Sequence, residues 1–313
     1  MLQNFLFLVL GFVFLCLGSK WMVRGAASLA LTFSVHPLII GLTIVAFATS
    51  APELFVSLIA AISGSSGVSL GNIIGSNVCN IGLVLGTSAM IRPLKVDQQI
   101  IYREIPYLIG TSGLFWLISM DGRIGRMDGA ILLAGLVLFL IIGIARARKF
   151  KHRNDAVPEK ESNNKLWFIF LILTGMAGLT GGAHLIVKSA IYIAREMGLS
   201  EIFIGLTIVA IGTSLPELAT SVVAGIRGEH DISIGNVVGS NIFNVCLVIG
   251  TVGLFNPMSV NMELMQFEFP AMFVLSILFF IFARTGFVIN RLEGLFFMLG
   301  FIIFIGVSCL RIM

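Results

Sequence analysis

The stretch Gly41-Leu-Thr-Ile-Val-Ala-Phe-Ala-Thr-Ser-Ala-Pro-Glu-Leu54 returns later in the chain as Gly205-Leu-Thr-Ile-Val-Ala-Ile-Gly-Thr-Ser-Leu-Pro-Glu-Leu218. Glu53 and Glu217 are therefore 164 residues apart (217 − 53). A second pair keeps this offset, since Ser69-Leu-Gly-Asn-Ile-Ile-Gly-Ser-Asn-Val-Cys-Asn80 matches Ser233-Ile-Gly-Asn-Val-Val-Gly-Ser-Asn-Ile-Phe-Asn244. A constant offset over two separate motifs indicates that the chain consists of two copies of one half.

The composition outside these motifs is that of a membrane protein. Apolar residues make up 57% of the 313 residues and charged residues only 12%, whereas a soluble domain carries about 25% charged residues. Continuous apolar runs of roughly 20 residues favour membrane-spanning helices over a β-barrel. We predict an all-α membrane protein with about ten transmembrane helices, near 2–32, 37–62, 69–91, 104–120, 127–146, 165–194, 202–226, 233–255, 264–283 and 289–311.

The two copies divide these spans into two halves of five. The predicted domains are a first repeat at 1–149, a linker at 150–164 and a second repeat at 165–313. Because five is an odd number, the second copy enters the membrane from the opposite side, which gives two inverted-topology repeats. Inverted repeats are typical of secondary transporters, whose site lies at the membrane midplane between the copies.

The distribution of basic residues predicts an orientation. Lys and Arg are most frequent in the central connection, from Arg146 to Lys165. Cytoplasmic loops carry the excess of positive charge. We therefore expect the loop 147–164 to be cytoplasmic and both termini to lie outside, in a multi-pass protein of the cytoplasmic membrane.

Two acidic residues are exceptional in their position. Of the sixteen Asp and Glu residues, only Glu53 and Glu217 lie deep within long apolar segments. A charge at the bilayer centre costs roughly 2.5–3.5 kcal/mol on insertion scales. No Lys or Arg lies within two helical turns of either residue, so a bound cation or protons must offset their charge. This favours a cation site over a neutral structural pair.

The residues around the two acids supply further oxygen atoms. Pro52 and Pro216 should break their helices, because proline lacks an amide donor and clashes with the preceding turn. Hydroxyl, amide, carbonyl and carboxylate oxygens suit a hard cation such as Ca²⁺. Soft ions are disfavoured because the cysteines lie singly, as small buried apolar residues. The oxygen-bearing side chains are Thr49, Ser50, Ser76, Asn80, Thr213, Ser214, Ser240 and Asn244.

An alternative for the second motif is simple helix packing, with Gly at close contacts and Ser and Asn as interhelical hydrogen-bond partners. Its occurrence in both copies, each time after a buried Glu, favours a site. Ser76 and Asn80 share a helix face, as do Ser240 and Asn244. Asn72 and Asn236 extend these stripes, while Asn77 and Asn241 are expected to serve packing or helix bonding. Glu104 and Glu268, also paired by the repeat, are predicted to be interfacial.

The two motifs resemble the alpha repeats of the cation/Ca²⁺ exchanger superfamily, above all its prokaryotic sodium/calcium exchanger branch. The family motifs read G-T-S-x-P-E and G-N-x-x-G-S-x-x-x-N/D. The resemblance implies a prokaryotic membrane protein with ten helices, whose second, third, seventh and eighth spans form the core. It also implies that the first and sixth spans slide across this core. The ligands that it implies for Ca²⁺ and Na⁺ are Ala46, Thr49, Ser50, Glu53, Ser76, Asn80, Ala210, Thr213, Ser214, Glu217, Ser240 and Asn244, with Ala46 and Ala210 contributing backbone carbonyls.

Two positions depart from the family pattern. Ala48 replaces the usual Gly, while Gly212 keeps it, so the first helix break is expected to be less flexible. Asn244 stands where some relatives, including the potassium-dependent branch, have Asp. The site then has two carboxylates, which argues against K⁺ dependence and matches the charge of one Ca²⁺.

The expected function is therefore antiport of Ca²⁺ against Na⁺. A Ca²⁺/H⁺ antiporter is the first alternative, since the site could also return through the membrane with Glu53 and Glu217 protonated. A cation channel is an alternative from another class. No nucleophile–base constellation is evident, so we expect no enzyme activity and no cofactor. The expected partners are the transported ions (Ca²⁺ and Na⁺, or H⁺) and the lipid bilayer, without a nucleic acid or a protein partner.

Overall fold

The computed structural model describes residues 2–33, 35–153, 164–196 and 210–312, and almost all of them are helical. The α-helices are α1 Leu2–Phe33, α2 Pro37–Ile40, α3 Ala46–Thr49, α4 Ala51–Ile62, α5 Ser66–Cys79, α6 Gly86–Ile91, α7 Ile105–Ile118, α8 Arg126–Arg153, α9 Lys165–Glu196, α10 Ala210–Thr213, α11 Leu215–Arg227, α12 His230–Phe243, α13 Gly250–Phe255, α14 Met262–Gln266, α15 Glu268–Arg284 and α16 Arg291–Ile312. π-helical turns lie at Gly41–Val45, Asn80–Leu85, Ile100–Glu104 and Asn244–Ile249. Short strands are β1 Leu94–Lys95, β2 Arg123–Ile124, β3 Met258–Ser259 and β4 Val288–Ile289.

The helices are long and apolar enough for a multi-pass membrane protein. Within the described ranges, seven continuous helical segments could cross a bilayer, and a bent pair makes an eighth if it is counted as one span. The bent pair is Pro37–Thr49 with Ala51–Ile62, which meet at 43°. The predicted span at 202–226 is described only from residue 210 onward. The seven segments are Gln3–Phe33, Ser66–Ile91, Arg126–Ala145, Lys165–Ile193, His230–Phe255, Leu264–Arg284 and Arg291–Arg311.

The first residues of the predicted linker are helical. Helix α8 continues to Arg153, so residues 150–153 extend the last helix of the first half, and the boundaries of the linker stay a prediction. The apolar periodicity fades before this point, but a helix that has already formed adds each further residue at little cost. Residues 154–163, the rest of the linker, lie outside the described part of the chain.

The second half repeats the elements of the first at the offset read from the motifs. Helix α5 and its following π-turn correspond residue for residue to α12 and the π-turn Asn244–Ile249. The four strands pair across the halves: β1 pairs antiparallel with β4, and β2 with β3. The first strand of each half thus pairs with the second strand of the other. The pairing is therefore reciprocal between the halves.

The core of the molecule lies where α5 and α12 meet the broken helices. Segments Ser66–Ile91 and His230–Phe255 are the most buried of the spans, whereas the other spans expose most of their length. Gly239 on α12 packs directly on Leu42 and Ala46, the segment that precedes the first break. The repeated motifs therefore face each other in the interior.

The two longest helices, α1 and α9, form a separate layer against this core. Their glycines meet in close contact: a Cβ on Gly18 would lie 2.8 Å from the carbonyl oxygen of Gly175, and one on Gly182 would lie 2.7 Å from that of Gly11. Small residues permit this close approach of membrane helices.

Candidate cation-binding site

Each Thr-Ser-x-Pro-Glu motif forms a break between two helices. In the first half, α3 ends at Thr49 and α4 begins at Ala51; in the second half, α10 ends at Thr213 and α11 begins at Leu215. Both prolines lie in the first turn of the following helix, where a missing amide hydrogen is tolerated. The predicted break is therefore confirmed in both copies.

Glu53 and Glu217 are brought together by these breaks. Both side chains are fully buried, and their carboxylates are close enough for their charges to interact. The Ser50 hydroxyl donates to Oε1 of Glu217 across the halves at 3.3 Å, and the Ser76 hydroxyl donates to Oε1 of Glu53 at 3.5 Å. The acid of one half is thus held partly by the motif of the other half.

The threonines of the breaks contact the second motif of the opposite half. The Thr49 hydroxyl donates to Oδ1 of Asn236 at 3.1 Å and lies 3.2 Å from Oγ of Ser240. In the equivalent contact, the Thr213 hydroxyl donates to Oδ1 of Asn72 at 3.5 Å. Thr49, Thr213 and Ser240 therefore lie in one continuous polar cluster with the two acids.

Asn72 and Asn236 belong to this cluster, although the sequence analysis did not place them among the ligands. Each is oriented by a serine of its own half, because the amide nitrogens donate to Ser57 Oγ and Ser221 Oγ, both at 3.0 Å. Their spacing, four residues before Ser76 and Ser240, was the only sequence signal. Their side-chain oxygens accept hydrogen bonds from the hydroxyls of Thr49 and Thr213 and so orient these hydroxyls.

Asn80 and Asn244 are also fully buried. The amide nitrogen of Asn244 donates to Oδ1 of Asn77 at 3.1 Å, and Asn77 donates in turn to the carbonyl of Asn241 at 3.3 Å. Asn77 therefore bonds neighbouring helices, as expected. The bond also fixes the Asn244 amide so that its oxygen is left for another contact.

Several buried oxygens of this cluster have no hydrogen-bond partner among the described residues. Buried polar atoms are nearly always paired, so unpartnered oxygens on residues predicted to bind a cation need an explanation. A hard cation, which binds about 6–8 oxygens, would satisfy them together. The atoms are Oε2 of Glu53, Oε2 of Glu217, Oγ of Ser214, Oδ1 of Asn80 and Oδ1 of Asn244.

The carboxylates are few relative to the neutral oxygens. In the described part of the chain, no three His, Cys, Asp or Glu side chains converge closely enough to hold a metal ion. The cluster therefore contains two carboxyl groups surrounded by hydroxyl and amide groups. This composition suits a transported ion, which must also leave.

The resemblance predicts two backbone carbonyls as ligands, those of Ala46 and Ala210. The Ala46 carbonyl already accepts hydrogen bonds within the protein. The Ala46 carbonyl accepts from the amide of Ser50 at 3.0 Å and from the Thr49 hydroxyl at 3.3 Å. The carbonyl that loses its helical donor to Pro52 is that of Ala48, four residues earlier. Ala210 begins α10, and the residues before it lie outside the described ranges. Both alanines stay predictions.

The Gly212 position is explained by packing. A Cβ at Gly212 would collide with the side chain of Val187 on α9. Ala48, at the equivalent position, is buried without such a conflict. The glycine of the second motif therefore permits close approach of α9 to the break.

Glu104 and Glu268 do not join the cluster. Glu104 is 8% exposed and lines a cavity of about 210 Å³ together with His36 and Arg103. Burial inside the protein does not fix the depth of Glu104 in the membrane, so its interfacial position stays a prediction. Glu268 is half-buried and accepts from the Ser308 hydroxyl at 3.3 Å.

The chain is similar to known proteins over nearly its whole length. It matches the family described as "sodium/calcium exchanger protein" over residues 3–145 and 167–310. It is 32% identical to sodium/calcium exchanger MaX1 of Methanosarcina acetivorans, covering 96% of this chain and 97% of the relative. It is 37% identical to putative antiporter CaxA of Alkalimonas amylolytica, covering 96% and 97%.

A solved structure has the same fold. The sodium-calcium exchanger NCX_Mj soaked with Na⁺ and Ca²⁺ aligns with a TM-score of 0.86 at 32% identity, covering 98% of both chains. NCX_Mj soaked with Na⁺ and Sr²⁺ also aligns with a TM-score of 0.86, at 33% identity. The chain belongs to the sodium/calcium exchanger family and is a multi-pass membrane antiporter, not an enzyme.

Proposed function

We propose that this protein exchanges Ca²⁺ for Na⁺ across the cytoplasmic membrane, by alternating access at the cluster around Glu53 and Glu217. The observation that carries the proposal is the burial of these two acids side by side among hydroxyl and amide oxygens. The names of the relatives support the choice of ions, because MaX1 is a sodium/calcium exchanger.

The proposed ligands balance the charge of the cargo. Two carboxylates supply a charge of −2, which one Ca²⁺ neutralises. Two unit charges 4 Å apart interact by about 4 kcal/mol at an effective dielectric constant of 20, so the acids repel each other strongly when both are ionised and no cation is bound. The proposed set is Ala46, Thr49, Ser50, Glu53, Ser76, Asn80, Ala210, Thr213, Ser214, Glu217, Ser240 and Asn244.

The same charge balance makes exchange obligatory. Moving the binding site between the two membrane faces with two uncompensated buried carboxylates would cost several kcal/mol. Ca²⁺ and Na⁺ share Glu53 and Glu217, so one Ca²⁺, or Na⁺ ions that together supply the same charge, remove this cost. The unloaded site then stays open to one side of the membrane, and flux requires a transported ion on both sides.

The architecture proposed for this cycle is two inverted repeats. The reciprocal strand pairing and the equivalent positions of α5 and α12 support a two-fold relation between residues 1–149 and 165–313. With ten spans, the basic segment around 147–164 lies in the cytoplasm and both termini lie outside. Exchanging the conformations of the halves then turns the site from one face to the other.

The decisive experiment is radioactive Ca²⁺ uptake into proteoliposomes containing the purified protein. We expect uptake driven by an outward Na⁺ gradient, and none without a counter-ion. Uptake that responds to a pH gradient alone would support Ca²⁺/H⁺ antiport instead, and uptake without any trans cation would indicate a channel.

Two variants and one control connect the flux to the site. Glu53→Gln and Glu217→Gln are each expected to abolish exchange, because each removes half of the site's charge. Glu196→Gln serves as the control, since this acid is exposed at the end of α9. Near-normal transport in either site variant would remove that residue from the proposed ligands.

A further inference from the structure

A chain of two hydrogen bonds crosses between the halves in the buried core. The side-chain nitrogen Nδ2 of Asn244 donates to Oδ1 of Asn77 at 3.1 Å. Nδ2 of Asn77 donates in turn to the backbone carbonyl of Asn241 at 3.3 Å. Asn241 stands where the second motif repeats Asn77, 164 residues later (241 − 77). The chain therefore begins and ends in the second half and passes through one side chain of the first half.

The equivalent chain with the halves exchanged is not formed in the described part of the protein. It would need Nδ2 of Asn80 to donate to Oδ1 of Asn241, and Nδ2 of Asn241 to donate to the carbonyl of Asn77. Asn80 and Asn241 are fully buried. Neither side chain has a hydrogen-bond partner among the described residues, at its Nδ2 or at its Oδ1. The unpartnered atoms thus include every side-chain atom that the exchanged chain needs.

A bound cation does not account for all of these atoms. It can take the oxygen of Asn80, but the NH₂ group of an amide is a hydrogen-bond donor and needs an acceptor. Buried groups of this kind are nearly always paired. The exchanged chain supplies an acceptor for each nitrogen. The carbonyl of Asn77 accepts from the backbone amide of Asn80, and its second lone pair is available for Asn241.

The chain that is formed holds only one of the two predicted amide ligands. Asn77 fixes the nitrogen of the Asn244 amide, so the unpartnered Oδ1 of Asn244 keeps one orientation. Nothing among the described residues fixes the Asn80 amide in this way. Transporters with inverted repeats reach the opposite access state when the two halves exchange conformations. The held asparagine and the unheld asparagine then change places.

We propose that Asn77 and Asn241 are alternating positioning residues for the transported cation. Asn77 holds the Asn244 ligand in the access state seen here, and Asn241 holds the Asn80 ligand in the opposite state. This inference rests on the proposed alternating access between inverted halves. Each state then has one fixed and one unfixed amide ligand, so the ion meets equivalent ligands on both sides of the membrane.

One difference between the halves favours the chain that is formed. Nδ2 of Asn77 also lies 3.6 Å from the sulfur of Met272, while Leu108 stands at the equivalent position of the first half (272 − 164). Thioether sulfur is a weak acceptor, and leucine offers none. Met272 therefore stabilises the state seen here. Met272→Leu, which nearly keeps the side-chain volume, should shift the protein towards the opposite state.

The first test compares the apparent Ca²⁺ affinity at the two membrane faces. Na⁺-driven Ca²⁺ uptake is measured in right-side-out and in inside-out membrane vesicles. We expect Asn77→Ala to raise the KM for Ca²⁺ at one face and Asn241→Ala to raise it at the opposite face, each on the order of tenfold to a hundredfold. Ser112→Ala on α7 should change neither value; its buried hydroxyl is also unpartnered among the described residues.

Two results of this test would overturn the proposal. A rise at both faces in Asn77→Ala, with none in Asn241→Ala, would mean that the chain seen here is permanent. A rise at the same face in both variants, or in neither, would mean that the two asparagines do not alternate. Asn77→Leu and Asn241→Leu, which keep a similar volume, take the place of an alanine variant that fails to fold.

Hydrogen–deuterium exchange of the purified protein in nanodiscs, without Ca²⁺, separates this inference from the choice of transported ions. Asn77→Ala removes the chain seen here, so the amides at one end of the core helices should become more protected and those at the other end less protected. Asn241→Ala should produce the reverse pattern, and Met272→Leu should follow Asn77→Ala more weakly. Reversed patterns would uphold the inference even if Na⁺ failed to drive uptake. Changes of the same sign, or a change in fewer than both asparagine variants, would contradict it.

Discussion

The close contact of Gly239 with the first broken span lets us predict how far the substitution Gly239→Ala would displace α12. A Cβ at this position would lie 2.6 Å from Cβ of Ala46, 2.7 Å from the carbonyl oxygen of Leu42 and 2.9 Å from its Cα. Non-bonded carbon atoms pack at about 3.5–4.0 Å. Since two of the three neighbours are backbone atoms, Gly239→Ala must push α12 away from this span by roughly 0.7 Å or more.

This displacement acts directly on the hydrogen bonds between the same two segments. Thr49 lies 3.1 Å from Asn236 and 3.2 Å from Ser240, and both distances would exceed the hydrogen-bond limit of about 3.5 Å. Overpacking costs about 1–3 kcal/mol of stability, and a misplacement of about 1 Å can cost on the order of a hundredfold in rate. We expect exchange to fall by about tenfold to a hundredfold.

The assay is Na⁺-driven Ca²⁺ uptake into proteoliposomes, together with thermal unfolding in detergent with and without Ca²⁺. Gly306→Ala on α16 is the control, because no described atom lies within 4 Å of a Cβ added there. We expect the Gly239 variant to lose both rate and stabilisation by Ca²⁺, while the control keeps both. Wild-type transport by the Gly239 variant, or an equal loss in the control, would refute the reasoning.

Three further outcomes test the site and its supports. Ca²⁺ at a hundredfold excess over its Kd should stabilise the wild type by about 2.7 kcal/mol. Removing Ca²⁺ with a chelator should therefore lower the thermal midpoint of the wild type but leave that of Glu217→Gln unchanged. Asn244→Asp can keep its bond to Asn77 only when protonated, so its ion preference should diverge from the wild type as pH rises; identical pH profiles would contradict this. Arg92→Ala loses the 2.6 Å bond from its guanidinium to the Ile226 carbonyl and should cost about 0.5–1.5 kcal/mol, read as a lower thermal midpoint than that of the Arg123→Ala control.

The sequence predicted those features that depend on the chain's own local chemistry. Pro52 and Pro216 predicted the helix breaks, because the missing amide acts within one turn. The offset between Glu53 and Glu217 predicted which elements of the two halves correspond. The buried acids were evident from their apolar surroundings, and the structure brings the predicted side chains Thr49, Ser50, Ser76, Thr213 and Ser240 into one cluster with them.

The features that the sequence did not predict depend on which helices face each other. Asn236 orients Thr49 through a contact between segments 187 residues apart, and no local spacing contains this information. Glu104 is buried and ends a π-turn that no local spacing in the sequence predicted.

The cross-paired strands have a consequence for how the protein is made. Lys95 pairs with Val288, so β1 leaves the ribosome long before its partner exists. At about 5–20 residues per second, the intervening chain takes roughly 10–40 s to synthesise. During this interval the edges of β1 and β2 are open to other chains. We therefore expect the first half to complete its strand pairing only after the second half has been synthesised.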